Sequence, residues 1–312
     1  MLILMKKQIK ILAPATVANV VCGFDILGFA LDNPNDEMVM RLIDEPIVRI
    51  INKDHYNLPT NPPDNVAGAA LLALMDDYPH PIGFEVEIKK NIMPGSGIGS
   101  SAASAAGAVV GANYLLGNPY TPDQLVGFAM FGEKVASGVK HADNITPCIF
   151  GGVTLIRSTD PLDIVPLSAP DLYVTVVHPQ IEVKTENARK ILKQHVELKS
   201  AIRQWGNVAG VVAGLLKKDY DLLGRSLEDV IIEPIRSILI PGFEEIKMQS
   251  KAVGALGGGI SGSGPSIFML SKDETTAQAV AEVMSNVYTS LAIDYHIYVT
   301  SVNTEGVRVS EF

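Results

Sequence analysis

Cysteine is scarce in this chain. The 312 residues include two, Cys22 and Cys148. That is too few for a disulfide framework, and no C-x-x-C or comparable metal-ligand spacing occurs. Long apolar runs are missing too. Residues 1–5 are apolar but give way at once to Lys6 and Lys7, too short a stretch for a signal peptide or a membrane span. The expectation is a cytoplasmic protein with no membrane partner, and Met5 is a second candidate start. Positive charge is in deficit: 25 Lys and Arg against 34 Asp and Glu give a formal net charge of −9. Such a chain lacks the broad basic face that nucleic acid requires. Anionic ligands would have to be held locally, by helix N-termini, amide N–H groups and a few arginines.

Two familiar nucleotide motifs are absent. No Gly-Lys-Ser/Thr triplet occurs, which excludes the P-loop. A dinucleotide fingerprint counted from Gly95 would need glycine at Ser100. It also belongs on the first βαβ unit, whereas this loop follows at least four predicted elements.

What is present is a 47% hydrophobic chain, enough for a substantial core. Alternation predicts strands over 8–13, 82–89, 153–156, 173–177, 266–270 and 295–301. Residues 38–43 and 47–51 read as a strand pair around Asp44-Glu45-Pro46, and 13–25 as a loop. Helical patterns cover 65–77, 101–116, 122–137, 185–193, 195–217, 219–227, 242–253 and 275–288. Strands and helices are intermixed without regular alternation, which points to an α+β fold. A break at Asp160-Pro161 suggests two domains, 1–165 and 166–312.

The loop between the strand at 82–89 and the small-residue helix reads Pro94-Gly95-Ser96-Gly97-Ile98-Gly99-Ser100-Ser101-Ala102-Ala103-Ser104. Three glycines let the backbone approach an anion and adopt positive φ. The helix N-terminus adds a partial positive charge of about half a unit. Ser100 and Ser101 offer hydroxyls to phosphate oxygens or to magnesium. The competing reading is a tight strand-to-helix turn that binds nothing.

This segment resembles the second motif of the GHMP kinases, and Gly257-Gly-Gly-Ile-Ser-Gly-Ser-Gly264 resembles their third. The stretch from Ala13-Pro-Ala-Thr-Val-Ala-Asn19 through Gly23-Phe-Asp25 resembles the first motif, in the form seen in homoserine kinases. So do Gly138-Val-Lys-His-Ala-Asp-Asn144, Pro147 and Phe150-Gly-Gly152. The likeness covers essentially the whole chain, in order. One departure is Val20-Val21-Cys22, where the family commonly has a Gly-Pro-Gly type of turn.

The resemblance implies an N-terminal ATP-binding domain like the second half of ribosomal protein S5. It also implies a ferredoxin-like C-terminal domain that completes the substrate site. The implied activity is transfer of the γ-phosphoryl of ATP, with Mg2+, to the hydroxyl of L-homoserine on the route to threonine. A homodimer is also implied. An isoprenoid-pathway acid as acceptor, or a non-catalytic ligand-binding homologue, are the alternatives.

Glu133 shares a helical stripe with apolar Val126, Ala129 and Met130, and a carboxylate there needs a partner. An ion pair with Lys134 or Lys140 would serve. The resemblance instead assigns magnesium, held with Ser101. His141, Asp143 and Asn144 cluster: Asn144 as positioner of the attacking hydroxyl, His141 as substrate ligand or helix cap, Asp143 as an optional general base. Thr185 and Arg189 share a helix face, and Arg189 with Arg236 would clamp an α-carboxylate. Asp25 would take the α-ammonium group and Asn19 a polar edge. The plain readings are a turn for Asp25 and a local Glu233 pair for Arg236. The loop over 257–264 either backs the phosphate loop, closes on substrate, or is a simple β-turn.

Overall fold

The structure, a computed structural model, describes residues 8–138, 141–183, 188 and 190–312. Strand β1 (Gln8–Ala18) runs five residues past its expected end. From Ala13 onward every residue is buried, so both faces are covered. The alternation therefore stops while the strand continues. β2 (Leu27–Ile43) pairs antiparallel with it.

The expected pairing of 38–43 with 47–51 is not formed. β3 (Val48–Asn52) lies parallel to β4 (Gly83–Lys89), and β4 sits between β2 and β3. Residues 44–47 carry the chain across the sheet end. A Cβ on Gly83 would lie 1.8 Å from the Glu45 carbonyl oxygen, so the crossover rests directly on that glycine. Both segments alternate correctly, but alternation does not name a strand's neighbour.

Helix α1 (Val66–Asp77) is capped by Asn65, whose side chain accepts from Gly68 N at 3.0 Å. α2 (Ser100–Leu115) and α3 (Pro122–Ser137) complete a layer against one face of this sheet. Thr121 and Gln124 cap α3 reciprocally, as the sequence Thr-Pro-Asp-Gln suggests. The small residues of α2 allow close approach: a Cβ on Gly111 would meet Ile11 Cδ1 at 2.3 Å. A short helix not anticipated, α4 (Ile145–Phe150), leads to the hairpin β5 (Val153–Thr159) and β6 (Leu162–Leu167), which joins β2.

The second sheet begins with β7 (Tyr173–Pro179). The expected helix over 185–193 lies largely outside the described residues. α5 (Leu198–Lys217) starts three residues later than expected, and α6 (Tyr220–Ser226) and the single turn α7 (Glu233–Arg236) follow. Next come α8 (Phe243–Ala252), β8 (Gly257–Ile260), β9 (Ile267–Ser271), α9 (Glu274–Ser290) and β10 (Tyr295–Ser301). The sheet order is β10-β7-β9-β8, antiparallel throughout. Residues 257–260, expected as loop, are therefore strand. Their glycines serve close approach rather than turning, since a Cβ on Gly258 would lie 1.9 Å from Phe268 O.

α8 and α9 cover one face of the second sheet. The other face joins the first half of the molecule in a continuous core, where Phe29 and Phe268 meet edge to face at 5.6 Å. The last strand, β11 (Arg308–Glu311), returns to pair with β1.

His178 on β7 is 4% exposed. Burial, aided by neighbouring His296, pushes its imidazole pKa from 6.5 down to about 4. The folded state thus favours the neutral ring, a contribution present above pH 6.5 and lost as pH falls through 4. Unfolding free energy should drop by about 3 kcal/mol across that window. A His178→Gln variant should lack that drop in urea titrations at stepped pH; an unchanged slope would refute the assignment.

Candidate active site

The glycine loop over 94–104, the candidate phosphate loop, is built as the alternation of glycines suggests. Gly95, Gly97 and Gly99 have φ of 78°, 84° and 72°. Gly99 is the residue before α2 and turns the chain into the helix. The first-turn N–H groups of a helix lack intrahelical partners, and here the first two residues of α2, Ser100 and Ser101, line a cleft of about 400 Å³.

The turn after β8 supports this loop from behind. Ser261 Oγ donates to Gly97 O at 2.8 Å, and Ser266 Oγ donates to Ser96 O at 2.6 Å. Two loop carbonyls are thereby held away from the cleft. Of the 257–264 segment, Ser261 backs the glycine loop, while Gly262 and Ser263 line the cleft.

The loop residues divide. Pro94, Gly95, Gly97, Gly99, Ser100, Ser101 and Ser104 line the cleft. Ser96, Ile98, Ala102 and Ala103 do not; their side chains are buried, and Ala103 N is bonded to Gly99 O. Ser100 also corrects an expectation. Its hydroxyl donates inward to Ile92 O at 2.8 Å and closes the base of the loop. Ser101, one position on and about 100° round the helix, points the other way. Its Oγ donates to Glu133 Oε2 at 2.8 Å. The apolar stripe beneath Glu133 is as expected, with Val126 and Ala129 fully buried.

Sequence reasoning missed the ion pair under this loop. Lys90 Nζ meets Asp36 Oδ2 and also donates to Ser100 O at 2.6 Å and Ser104 Oγ at 2.9 Å. Asp36 Oδ1 accepts from the N–H groups of Asn91 and Ile92, both at 2.9 Å. Both side chains are essentially inaccessible, at 1% and 0%. The available signal was a lysine at the mouth of the loop, within an apolar alternation.

The cleft also gathers polar residues from the 13–25 and 138–152 stretches and from the second half of the chain. Asn19, Asp25, His141, Asp143, Asn144 and Arg236 all line the same cleft. Asn19 Oδ1 accepts from Asp25 N at 3.0 Å, and its Nδ2 donates to Gly262 O at 2.6 Å. Arg236 Nη1 donates to the same carbonyl at 3.2 Å, and its guanidinium lies over the Phe24 ring. Glu233, the local partner considered for Arg236, pairs with Lys247. Asp25 Oδ1 and His141 Nδ1 are 3.8 Å apart.

The loop over 19–25, which keeps only Gly23 of the family's turn glycines, has left-handed backbone at non-glycine positions. Asn19, Val21 and Asp25 have φ of 71°, 58° and 62°. A β-branched residue there is strained, and the Asn19 side chain holds the loop closed. Behind it, Gly28 lets the 143–144 segment lie against β2, since a Cβ there would fall 1.8 Å from Asp143 O. Thr185 and Arg189 lie outside the described residues.

Residues 65–152 match the GHMP kinases N terminal domain and 211–290 the GHMP kinases C terminal domain. A homoserine kinase of Chloroherpeton thalassium is 46% identical, over 97% of this chain and 99% of that one. The chain belongs to the GHMP kinase family. Another relative, a homoserine kinase of Xanthomonas campestris, is 40% identical over 97% of this chain and 94% of its own. A crystal structure of homoserine kinase from Cytophaga hutchinsonii superposes with a TM-score of 0.94 at 48% identity, covering 99% of each chain. Mevalonate kinase of L. major shares the fold at a TM-score of 0.71 and 16% identity, covering 94% of this chain and 95% of that one. The α+β architecture is thus the two-domain GHMP kinase fold.

Proposed function

We propose that this chain catalyses ATP-dependent phosphorylation of L-homoserine to O-phospho-L-homoserine, a step toward threonine. The observation that carries the reading is a single cleft that gathers two chemically distinct sets of residues. One set is the glycine loop with Ser101 and Glu133; the other is Arg236, Asp25, His141 and Asn144. Near full-length identity to homoserine kinases supports the same acceptor.

In this reading amide N–H groups of 95–101, other than that of Ser96, which donates to Met93 O, cradle the ATP phosphates. Ser101 and Glu133 supply two hard oxygens 2.8 Å apart, a donor set that fits magnesium, which takes its other ligands from phosphate and water. Bound there, magnesium would neutralise charge on the transferring phosphoryl group. Arg236 takes the substrate carboxylate, with Arg189 and Thr185 as further ligands, and Asp25 takes the ammonium group. Asn19 shapes the loop that carries Asp25. His141, beside Asp25, contacts the substrate. Asn144 orients the hydroxyl, and Asp143 need not act as a base, because phosphoryl transfer depends mainly on positioning and electrostatics. The domain division near residue 166 is part of this proposal, with the last strand returning to the first half.

A coupled assay with ATP, Mg2+ and a panel of hydroxyl acceptors tests it. ADP release should depend on L-homoserine. Turnover of mevalonate or galactose with none on homoserine would refute the acceptor. Binding of ATP without turnover of any acceptor would favour the non-catalytic homologue.

A further inference from the structure

Thr16 is fully buried in β1, yet it touches both halves of the reacting region. Its backbone N–H donates to Ile98 O at 3.1 Å and so ties the strand to the phosphate loop. Its Oγ1 donates to Asn144 Oδ1 at 2.8 Å. Gly99 completes the contact. A Cβ there would lie 2.0 Å from Thr16 Oγ1 and 3.1 Å from Asn144 Oδ1, so only glycine leaves room for the hydroxyl to reach the amide.

A carboxamide is asymmetric: one end accepts, the other carries two donors. Thr16 spends its single hydroxyl proton on the accepting end. The end that remains for the cleft, which Asn144 lines, is the –NH2 group. We propose that Thr16 is a positioning residue that fixes the orientation of the Asn144 carboxamide, so that it presents N–H donors to the reacting groups. This rests on the role given to Asn144 above. An N–H can hold the acceptor hydroxyl oxygen or a phosphoryl oxygen in place. It cannot take the hydroxyl's proton, so Asn144 positions and does not act as a base.

Serine keeps the hydroxyl, whereas valine keeps only the shape. Thr16→Val should lower kcat about tenfold to a hundredfold, the scale of a misplaced reacting group. KM for ATP should hardly move, because the loop is held by the Thr16 backbone. Thr16→Ser should stay within about twofold of wild type. In an Asn144→Ala background Thr16→Val should add less than about twofold, because coupled residues are not additive. Asn144→Asp keeps the bond to Thr16 but presents an acceptor, and should lose as much as Asn144→Ala. Thermal midpoints of each variant separate folding from turnover, and Thr16→Ala replaces the valine variant if that one does not fold. An equal loss from Thr16→Val with and without Asn144 would overturn the proposal, as would an active Asn144→Asp. If Asn144→Ala turns over normally, the role of Asn144 is itself wrong and the proposal falls with it.

Discussion

Glu133→Gln is expected to lower kcat about a thousandfold while the protein stays folded. The side chain is only part-buried, and the Ser101 hydroxyl on its Oε2 can bond an amide oxygen as well. Turnover is different. Phosphoryl transfer gains its rate from charge neutralisation and alignment, and a metal centre supplies several kcal/mol of that. About 4 kcal/mol corresponds to about a thousandfold. The measurement is kcat against magnesium concentration at saturating ATP. The variant should need far more magnesium and never reach the wild-type plateau. A variant within about tenfold of wild type at ordinary magnesium would remove Glu133 from the metal site. Ser101→Ala should lose less, because one neutral ligand is replaceable by water.

The place of Glu133 beside Ser101 was legible only through the resemblance, because the apolar helical stripe by itself left an ion pair with a lysine open. The left-handed turns at 95, 97 and 99 were legible from the glycine spacing itself, although that spacing alone fits a turn that binds nothing. Other features left no local mark. Ser100 and Ser101 are identical neighbours, and only the helical rotation between them sends one hydroxyl into the loop base and the other toward Glu133. Gly258 and Gly259 looked like turn residues but are strand glycines, the first at a close backbone approach to Phe268 and the second against the Glu233 carboxylate. The placement of β4 between β2 and β3, and the return of residues 308–311 to β1, are decided by packing between distant segments. Thr16 read as an ordinary small residue at the start of a loop. Its partner, Asn144, is 128 positions away, and the bond exists only because Gly99 passes between them without a side chain.

Asp36 and Lys90 show the same limit at its most costly, for neither position is unusual by itself. Glu37 and Lys89, their immediate neighbours, form an ordinary exposed pair, whereas Asp36 and Lys90 are sealed from water. Removing one partner strands a buried charge. Asp36→Ala should therefore destabilise the protein by about 3–5 kcal/mol, lowering the thermal midpoint by roughly 10 °C. The pair also does something an apolar pair could not. Asp36 holds the entering limb of the phosphate loop through Asn91 and Ile92 N–H, and Lys90 holds the leaving limb through Ser100 O and Ser104 Oγ. The three N–H bonds of the ammonium are all matched within the protein, so in the proposed function Lys90 would act on the nucleotide through the loop. A double variant, Asp36→Leu with Lys90→Met, separates the two effects. Replacing a buried ion pair by apolar residues of similar volume often restores stability, so the midpoint should recover most of its loss. The loop amides would still lack their acceptor, and each unmet bond costs about 1 kcal/mol or more. KM for ATP should therefore remain raised by about tenfold or more in the double variant. If ATP affinity returns together with the melting temperature, the pair is a stability element and the loop needs no clamp.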